Sequence, residues 1–219
     1  MKKGNICAVI TNKDVAAIAK TEPLVDMFEV RIDLVGQGWQ EIAGDLKKPW
    51  IATNRPPDEG GNWKGNETIR QEELLKALEL GADIIDIELA TDNLDELVPL
   101  IKKKAKCMIS YHDFKKTPQF ENLKNIIKKQ KAASADICKV ITTATSFEDN
   151  LTTLKLISAF PGDKVISFAM GNEGIISRIL CPLSGGYLTY VSTGKEMESA
   201  PGQLSALELT GLYEVMAND

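Results

Sequence analysis

Histidine is nearly absent from this chain: of its 219 residues only His112 carries an imidazole. Metal centres built on several histidines are therefore excluded, and imidazole proton chemistry has a single address. Cysteine is scarce too. Cys7, Cys107, Cys138 and Cys181 lie far apart, with no C-x-x-C spacing and no histidine cluster beside them, which argues against zinc and fits the reduced thiols of a cytoplasmic protein. No apolar stretch approaches the roughly 20 residues of a membrane helix, and the short run in MKKGNICAVI is too brief for a secretory leader. Cationic excess is missing as well. With 26 Lys and Arg against 31 Asp and Glu, the net charge of −5 has the wrong sign for a general nucleic-acid or anionic-membrane surface. The basic runs KKKAK (102–106) and KKQK (128–131) fall late in expected helices, where cations suit the helix dipole. No Pro/Gly/Ser-rich linker or low-complexity tract divides the chain, so residues 1–219 read as one domain.

What the chain has in quantity is alternation. Short apolar, β-branched runs recur at 5–10, 27–33, 50–54, 83–89, 107–112, 137–142, 164–170 and 188–192. Between them, helical periodicity marks 69–82, 93–105, 120–134 and 146–160, and a last helix covers 203–216. Asp14 and Ser146 are placed to cap helix starts, Gly81 follows one helix, and Pro161-Gly162 ends another. Eight strand-and-helix units without a break predict an α/β fold, a single-domain (β/α)8 TIM barrel rather than an open doubly wound sheet. At this length some helices must be abbreviated, notably those near 14–21 and 39–46. Barrel chemistry sits at the carboxyl ends of the strands and in the loops that follow them.

At those ends, polar residues interrupt the apolar pattern. Strand two puts Glu29, Arg31 and Asp33 on one face by the two-residue period, and strand four does the same with Asp86 and Glu88. An internal ion-pair network is the plain reading of both, and it would line a polar barrel mouth. A long loop after strand three, 53–67, offers Arg55, Asp58, Glu59 and a Gly-Gly turn. Strand five ends in His112, whose side-chain type suits proton transfer near neutrality. Strand six holds Lys139 mid-strand, on one face with Ile137 and Ile141. Lysine is rarely buried without a reason. The plain reading is an ion pair with Glu29, Asp86 or Glu88; the functional one is a neutral amine that attacks a ketone or aldehyde to form a Schiff base. Arg178, in a short helix after strand seven, and Arg55 are candidate clamps for a substrate carboxylate. The small-residue loop 192–203 can cradle an anion.

Seven motifs in order resemble, along nearly the whole chain, those of the type I 3-dehydroquinate dehydratases of the shikimate pathway of aromatic amino-acid biosynthesis. They are EVRID (29–33), NRPPDEGG (54–61), DIEL (86–89), SYHDF (110–114), CKVIT (138–142), GNEGIISR (171–178) and SAPGQ (199–203). The resemblance implies a (β/α)8 barrel, usually a homodimer, that dehydrates 3-dehydroquinate to 3-dehydroshikimate with no metal and no organic cofactor. By motif, Lys139 matches the Schiff-base lysine, His112 the general acid/base and Glu59 the carboxylate that orients it. Arg178, Ser199 and Gln203 match substrate-binding positions, with Arg178 on the carboxylate; Glu29, Arg31 and Arg55 match polar residues around the ring hydroxyls. Phe168 stands where similar proteins often have methionine, and Asn54 where a bulkier apolar residue is common; both bear on packing more than on chemistry. The segment that plugs the barrel bottom in longer relatives is expected to be missing. Two other readings stay open. A class I aldolase-like barrel also wants a lysine on strand six, though a phosphorylated sugar would call for a Gly-rich phosphate site where this chain offers an arginine. A barrel that only binds a cyclic acid needs no nucleophile.

Overall fold

The computed structural model describes residues 5–217. The short β-branched runs become eight strands, β1 (Asn5–Ile10), β2 (Met27–Arg31), β3 (Trp50–Thr53), β4 (Ile84–Glu88), β5 (Lys106–His112), β6 (Ile137–Thr143), β7 (Val165–Met170) and β8 (Leu188–Ser192). They are parallel and lie side by side in the order β7-β6-β5-β4-β3-β2-β1-β8. Because β1 pairs with both β2 and β8, the sheet rolls into the expected barrel. The roll is nearly closed. Among the described residues no ladder joins β7 to β8, and the Tyr187 N–H donating to the Val165 carbonyl at 2.8 Å bridges the join.

Nine helices surround it: α1 (Val15–Thr21), α2 (Ile32–Val35), α3 (Trp39–Asp45), α4 (Glu67–Glu79), α5 (Leu94–Ile101), α6 (Phe120–Ala132), α7 (Glu148–Ser158), α8 (Ile175–Leu180) and α9 (Ala206–Ala217), counted among the described residues. The short α1 and α3 are the abbreviated helices expected from the length. Asp14 caps α1 by accepting the Ala17 N–H at 3.0 Å, and Gly81 follows α4 in the left-handed region at φ +88°. Ser146 does not cap α7. The Asp149 carboxylate, one position into the helix, reaches back to the N–H groups of Thr145 and Ser146 at 2.7 and 3.1 Å, and Phe147 takes the cap position with no side-chain bond. The last helix starts at Ala206 because Ser205 and Glu208 form a capping box, each accepting the other's N–H at 3.3 and 2.9 Å.

A second difference bears on the site. β2 stops at Arg31, and Ile32–Val35 turn into α2, so Asp33 does not share a strand face with Glu29 and Arg31. The turn folds the Asp33 carboxylate back onto the Arg31 guanidinium in a two-pronged pair at 2.9 and 2.7 Å. Its two oxygens also accept the N–H groups of Arg55 and Asn62 at 3.3 and 2.9 Å, which pins the loop after β3. Three same-face charges would have left one without a partner, and the bend supplies it.

Apolar side chains form two layers. Ile6, Ala8, Phe28, Val30, Ile85, Ile87 and Ile109 point outward against helix residues such as Leu74, Leu97 and Leu209. Met27, Ile51, Ile84, Met108, Ile137, Ile166 and Leu188 fill the lower barrel. Above that plug the inward positions carry polar residues such as Glu29, Asp86, His112 and Lys139 among apolar ones such as Val9 and Ile141. All four cysteines are buried free thiols.

Candidate active site

At the carboxyl ends of the strands a cavity opens, and all nine expected site residues border it: Glu29, Arg31, Arg55, Glu59, His112, Lys139, Arg178, Ser199 and Gln203.

Its floor is an ion lattice. Lys139 points inward from β6, 5 % exposed, with Nζ 2.7 Å from Asp86 Oδ2 and 3.6 Å from Glu29 Oε1. Glu88, the third partner considered for the lysine, is taken by others. Its oxygens meet Arg55 Nη1 and, at 2.8 Å, Arg70 Nη1. Arg55 is the hub, with Nη2 2.6 Å from Asp86 Oδ2 and Nη1 donating to Ser110 Oγ at 2.7 Å. Burial alone would raise the Asp86 carboxyl, but Arg55 and Lys139 hold it well below the usual carboxylate range. Glu29 accepts a hydrogen bond from Thr53 Oγ1 at 2.8 Å, which fixes it beside the lysine.

The wall beside β5 is a dyad. His112 Nδ1 lies 2.8 Å from Glu59 Oε2, which also accepts the His112 N–H at 3.1 Å. The carboxylate makes Nδ1 the proton-bearing nitrogen, and Nε2 has no partner among the described residues. Burial, and then the charges of Arg55 and Lys139, push the imidazole well below its ordinary value; burial pushes Glu59 up to about 7. The ring is therefore neutral near pH 7 and available as a base. Phe114 stacks on it, centroids 5.9 Å apart and planes within 17°. Gly60, at φ +75°, is where a side chain would strike the Phe114 ring, so glycine there lets the aromatic close over the dyad.

Opposite stands Arg178 on α8, 2 % exposed, with no carboxylate within ion-pair reach among the described residues and with Nε and Nη2 unpartnered. Burial brings its guanidinium down to about 10. An orphaned guanidinium edge with two parallel N–H groups is built to take a carboxylate side-on. Gln203 Oε1 accepts the N–H and hydroxyl of Ser199 at 2.6 and 3.0 Å, leaving Nε2 unpartnered beside the same cavity. The Gly171 N–H donates to the Pro201 carbonyl at 3.0 Å, tying the loops after β7 and β8 together. An uncompensated buried charge is a stability cost. Arg178→Met is accordingly expected to raise Tm by roughly 2–10 °C while raising KM about 100-fold, checked by calorimetry and steady-state kinetics.

Sequence reasoning weighed Asp86 as a partner for Lys139 without counting it in the site, although it binds both Lys139 and Arg55. Arg70 was missed. Its signal was available: in α4 it shares the buried stripe of Leu74, Ala77 and Leu78, and an arginine at a core position must have an acidic partner, here Glu88 and Glu67.

A family profile described as type I 3-dehydroquinase matches residues 6–219. A 3-dehydroquinate dehydratase of Dehalococcoides mccartyi is 44 % identical over 213 residues, 97 % of this chain and 96 % of that one. One from Methanocaldococcus jannaschii is 39 % identical, covering 96 % and 98 %. Among solved structures, type I 3-dehydroquinate dehydratase from Clostridium difficile, crystallised with covalently modified comenic acid, superposes with TM-score 0.85 at 26 % identity, covering 99 % of this chain and 93 % of that one. The enzyme from Aquifex aeolicus gives 0.81 at 26 %, covering 98 % and 100 %. With the profile spanning the barrel from its first strand to its last helix, the chain belongs to the type I 3-dehydroquinase family, lyases of the 3-dehydroquinate dehydratase class.

Proposed function

We propose that this chain, acting as one catalytic domain, dehydrates 3-dehydroquinate to 3-dehydroshikimate through an iminium on Lys139, with His112 moving the protons. The observation that carries the reading is a buried lysine on β6 facing the same cavity as a neutral imidazole at the end of the adjacent β5. The lysine ammonium gives up one proton so that its nitrogen can add to the substrate ketone; that proton departs with the former ketone oxygen as water, and the C=N bond left behind carries positive charge. The neighbouring C–H becomes acidic because its electron pair can flow into that iminium. His112 Nε2 takes the proton, giving an enamine. The enamine returns its electron pair as the β C–O bond breaks, and the imidazolium hands its proton to the departing oxygen, which leaves as water. A second water hydrolyses the product iminium and restores the lysine. One imidazole serves both transfers, which is why one histidine suffices.

Arg178 binds the ring carboxylate with Ser199 and Gln203 beside it, and Glu29, Arg31 and Arg55 face the ring hydroxyls. The reading requires no metal and no organic cofactor. A homodimer and a cytoplasmic setting come with the family resemblance; among the described residues no helix is long and apolar enough to cross a membrane. The decisive experiment mixes protein with 3-dehydroquinate and borohydride and maps the reduced adduct. An adduct on Lys139, absent from Lys139→Ala, supports the route; dehydroshikimate formed without any adduct overturns it.

Glu59 orients the imidazole and balances the imidazolium formed mid-cycle. Its carboxyl, raised to about 7, is half-ionised near neutrality, so activity climbs through that range as the dyad gains its anion. Glu59→Gln removes that step, and without the anion the imidazole loses its proton more easily, moving the acid limb of kcat/KM to lower pH. An unchanged pH–rate profile would refute the orienting role.

A further inference from the structure

The two cations that the chemistry depends on share one aromatic wall. Lys139 Nζ sits 4.5 Å from the centroid of the Tyr190 ring, and the Arg178 guanidinium carbon sits 4.5 Å from that of Phe168. The rings themselves meet edge to face, centroids 6.4 Å apart at 62°. Both are buried, at 4 % and 2 % exposure. An edge-to-face pair fixes the tilt of each ring, and a ring so fixed keeps an electron-rich face for a cation. Tyr190 turns its hydroxyl away, toward Met108 Sδ at 3.6 Å in the apolar plug, so its face rather than its oxygen meets the amine.

Building on the Schiff-base reading, we propose that Tyr190 and Phe168 are positioning residues, Tyr190 for Lys139 in its charged forms, ammonium and iminium, and Phe168 for the carboxylate clamp of Arg178. The argument for Tyr190 rests on donor count. An ammonium offers three N–H donors, while a protonated imine of the same nitrogen keeps one. That one suffices for Asp86, already at 2.7 Å, so the hydrogen-bonding capacity of the resting amine falls by two when the imine forms. Attraction to a ring face needs no N–H and survives the change. Tyr190 is thus a contact that follows the charge from ammonium to iminium. For Arg178 the argument is the orphaned charge. With no carboxylate partner among the described residues, the Phe168 face supports one side of the guanidinium plane, and the Nε–Nη2 edge of this cavity-lining residue is left without a partner.

The test separates the two roles. Tyr190→Leu is expected to lower kcat about 10-fold, and to slow borohydride-trapped adduct formation at saturating substrate by the same factor, with KM within about threefold. Tyr190→Phe keeps the ring face and stays within about threefold of the parent in both. Phe168→Leu is expected to raise KM about 10-fold with kcat within about threefold. Should Tyr190→Leu fail to fold, Tyr190→Met fills the space without a ring and takes its place. Equal losses in Tyr190→Phe and Tyr190→Leu overturn the ring-face argument in favour of the hydroxyl. If each Leu variant moves kcat and KM by one common factor, or moves neither, the wall is packing only and the proposal is wrong. If the parent itself yields no adduct, the Lys139 half falls with the Schiff-base reading, and the KM of Phe168→Leu alone decides the other half.

Discussion

Lys139→Ala is expected to lower kcat by about 10⁴–10⁶-fold, the scale on which covalent enzymes respond to loss of the nucleophile. Dehydroshikimate absorbance measures the loss, and borohydride treatment should leave the protein mass unchanged. The fold should hold. Removing the ammonium leaves Asp86 bonded to Arg55 at 2.6 Å, and Glu29 loses its one ion pair among the described residues but keeps the Thr53 hydroxyl at 2.8 Å. Breaking a buried pair destabilises most when it strands a charge with no other partner, and each carboxylate here keeps one. Circular dichroism and a melting curve close to the parent's would attribute the kinetic loss to chemistry. A residual rate within tenfold of the parent would mean that the amine is structural.

His112→Ala is expected to cost about 10²–10⁴-fold in kcat, the range for a positioned general acid/base. Its signature differs from that of the lysine. Amine addition to the ketone does not need the imidazole to abstract a C–H proton, so borohydride should still trap an adduct on Lys139. That adduct should retain the β-hydroxyl and be heavier by one water than the one trapped from the parent at steady state. An adduct of the dehydrated compound, accumulating at the parent's rate, would assign proton abstraction elsewhere. Phe114 would lose its stacking partner and Glu59 its imidazole, but Glu59 would keep the N–H of residue 112.

The barrel was legible because the period of two and the period of 3.6 alternate eight times, and seven of the eight strands end within one residue of where the run of side chains places them. β2 is the exception. Its apolar-charged alternation continues to Asp33, and only the nearness of Arg31 and of the loop N–H groups, which no local pattern carries, explains why the chain bends two residues earlier. The site was legible where a residue type contradicted its surroundings, as a lysine or a histidine on an apolar strand does. It was illegible where the meaning lay across the barrel. Asp86 on β4 reaches Lys139 on β6 over the intervening strand, a closeness set by curvature rather than by spacing. Phe168 reads in the sequence as a packing substitution for methionine, and its contact with Arg178 depends on where α8 sets the guanidinium.

The join between β7 and β8 gives the barrel a further property. A sheet laddered all the way round is a hoop, whose circumference is set by its hydrogen bonds. Among the described residues this one is a rolled ribbon whose two long edges meet at the cavity wall. Phe168 stands on one edge and Tyr190 on the other, so the edge-to-face contact of the two rings packs the seam that the ladder leaves open. At that seam the barrel is held by side-chain packing rather than by a ladder, and the packing pair also forms part of the wall of the cavity.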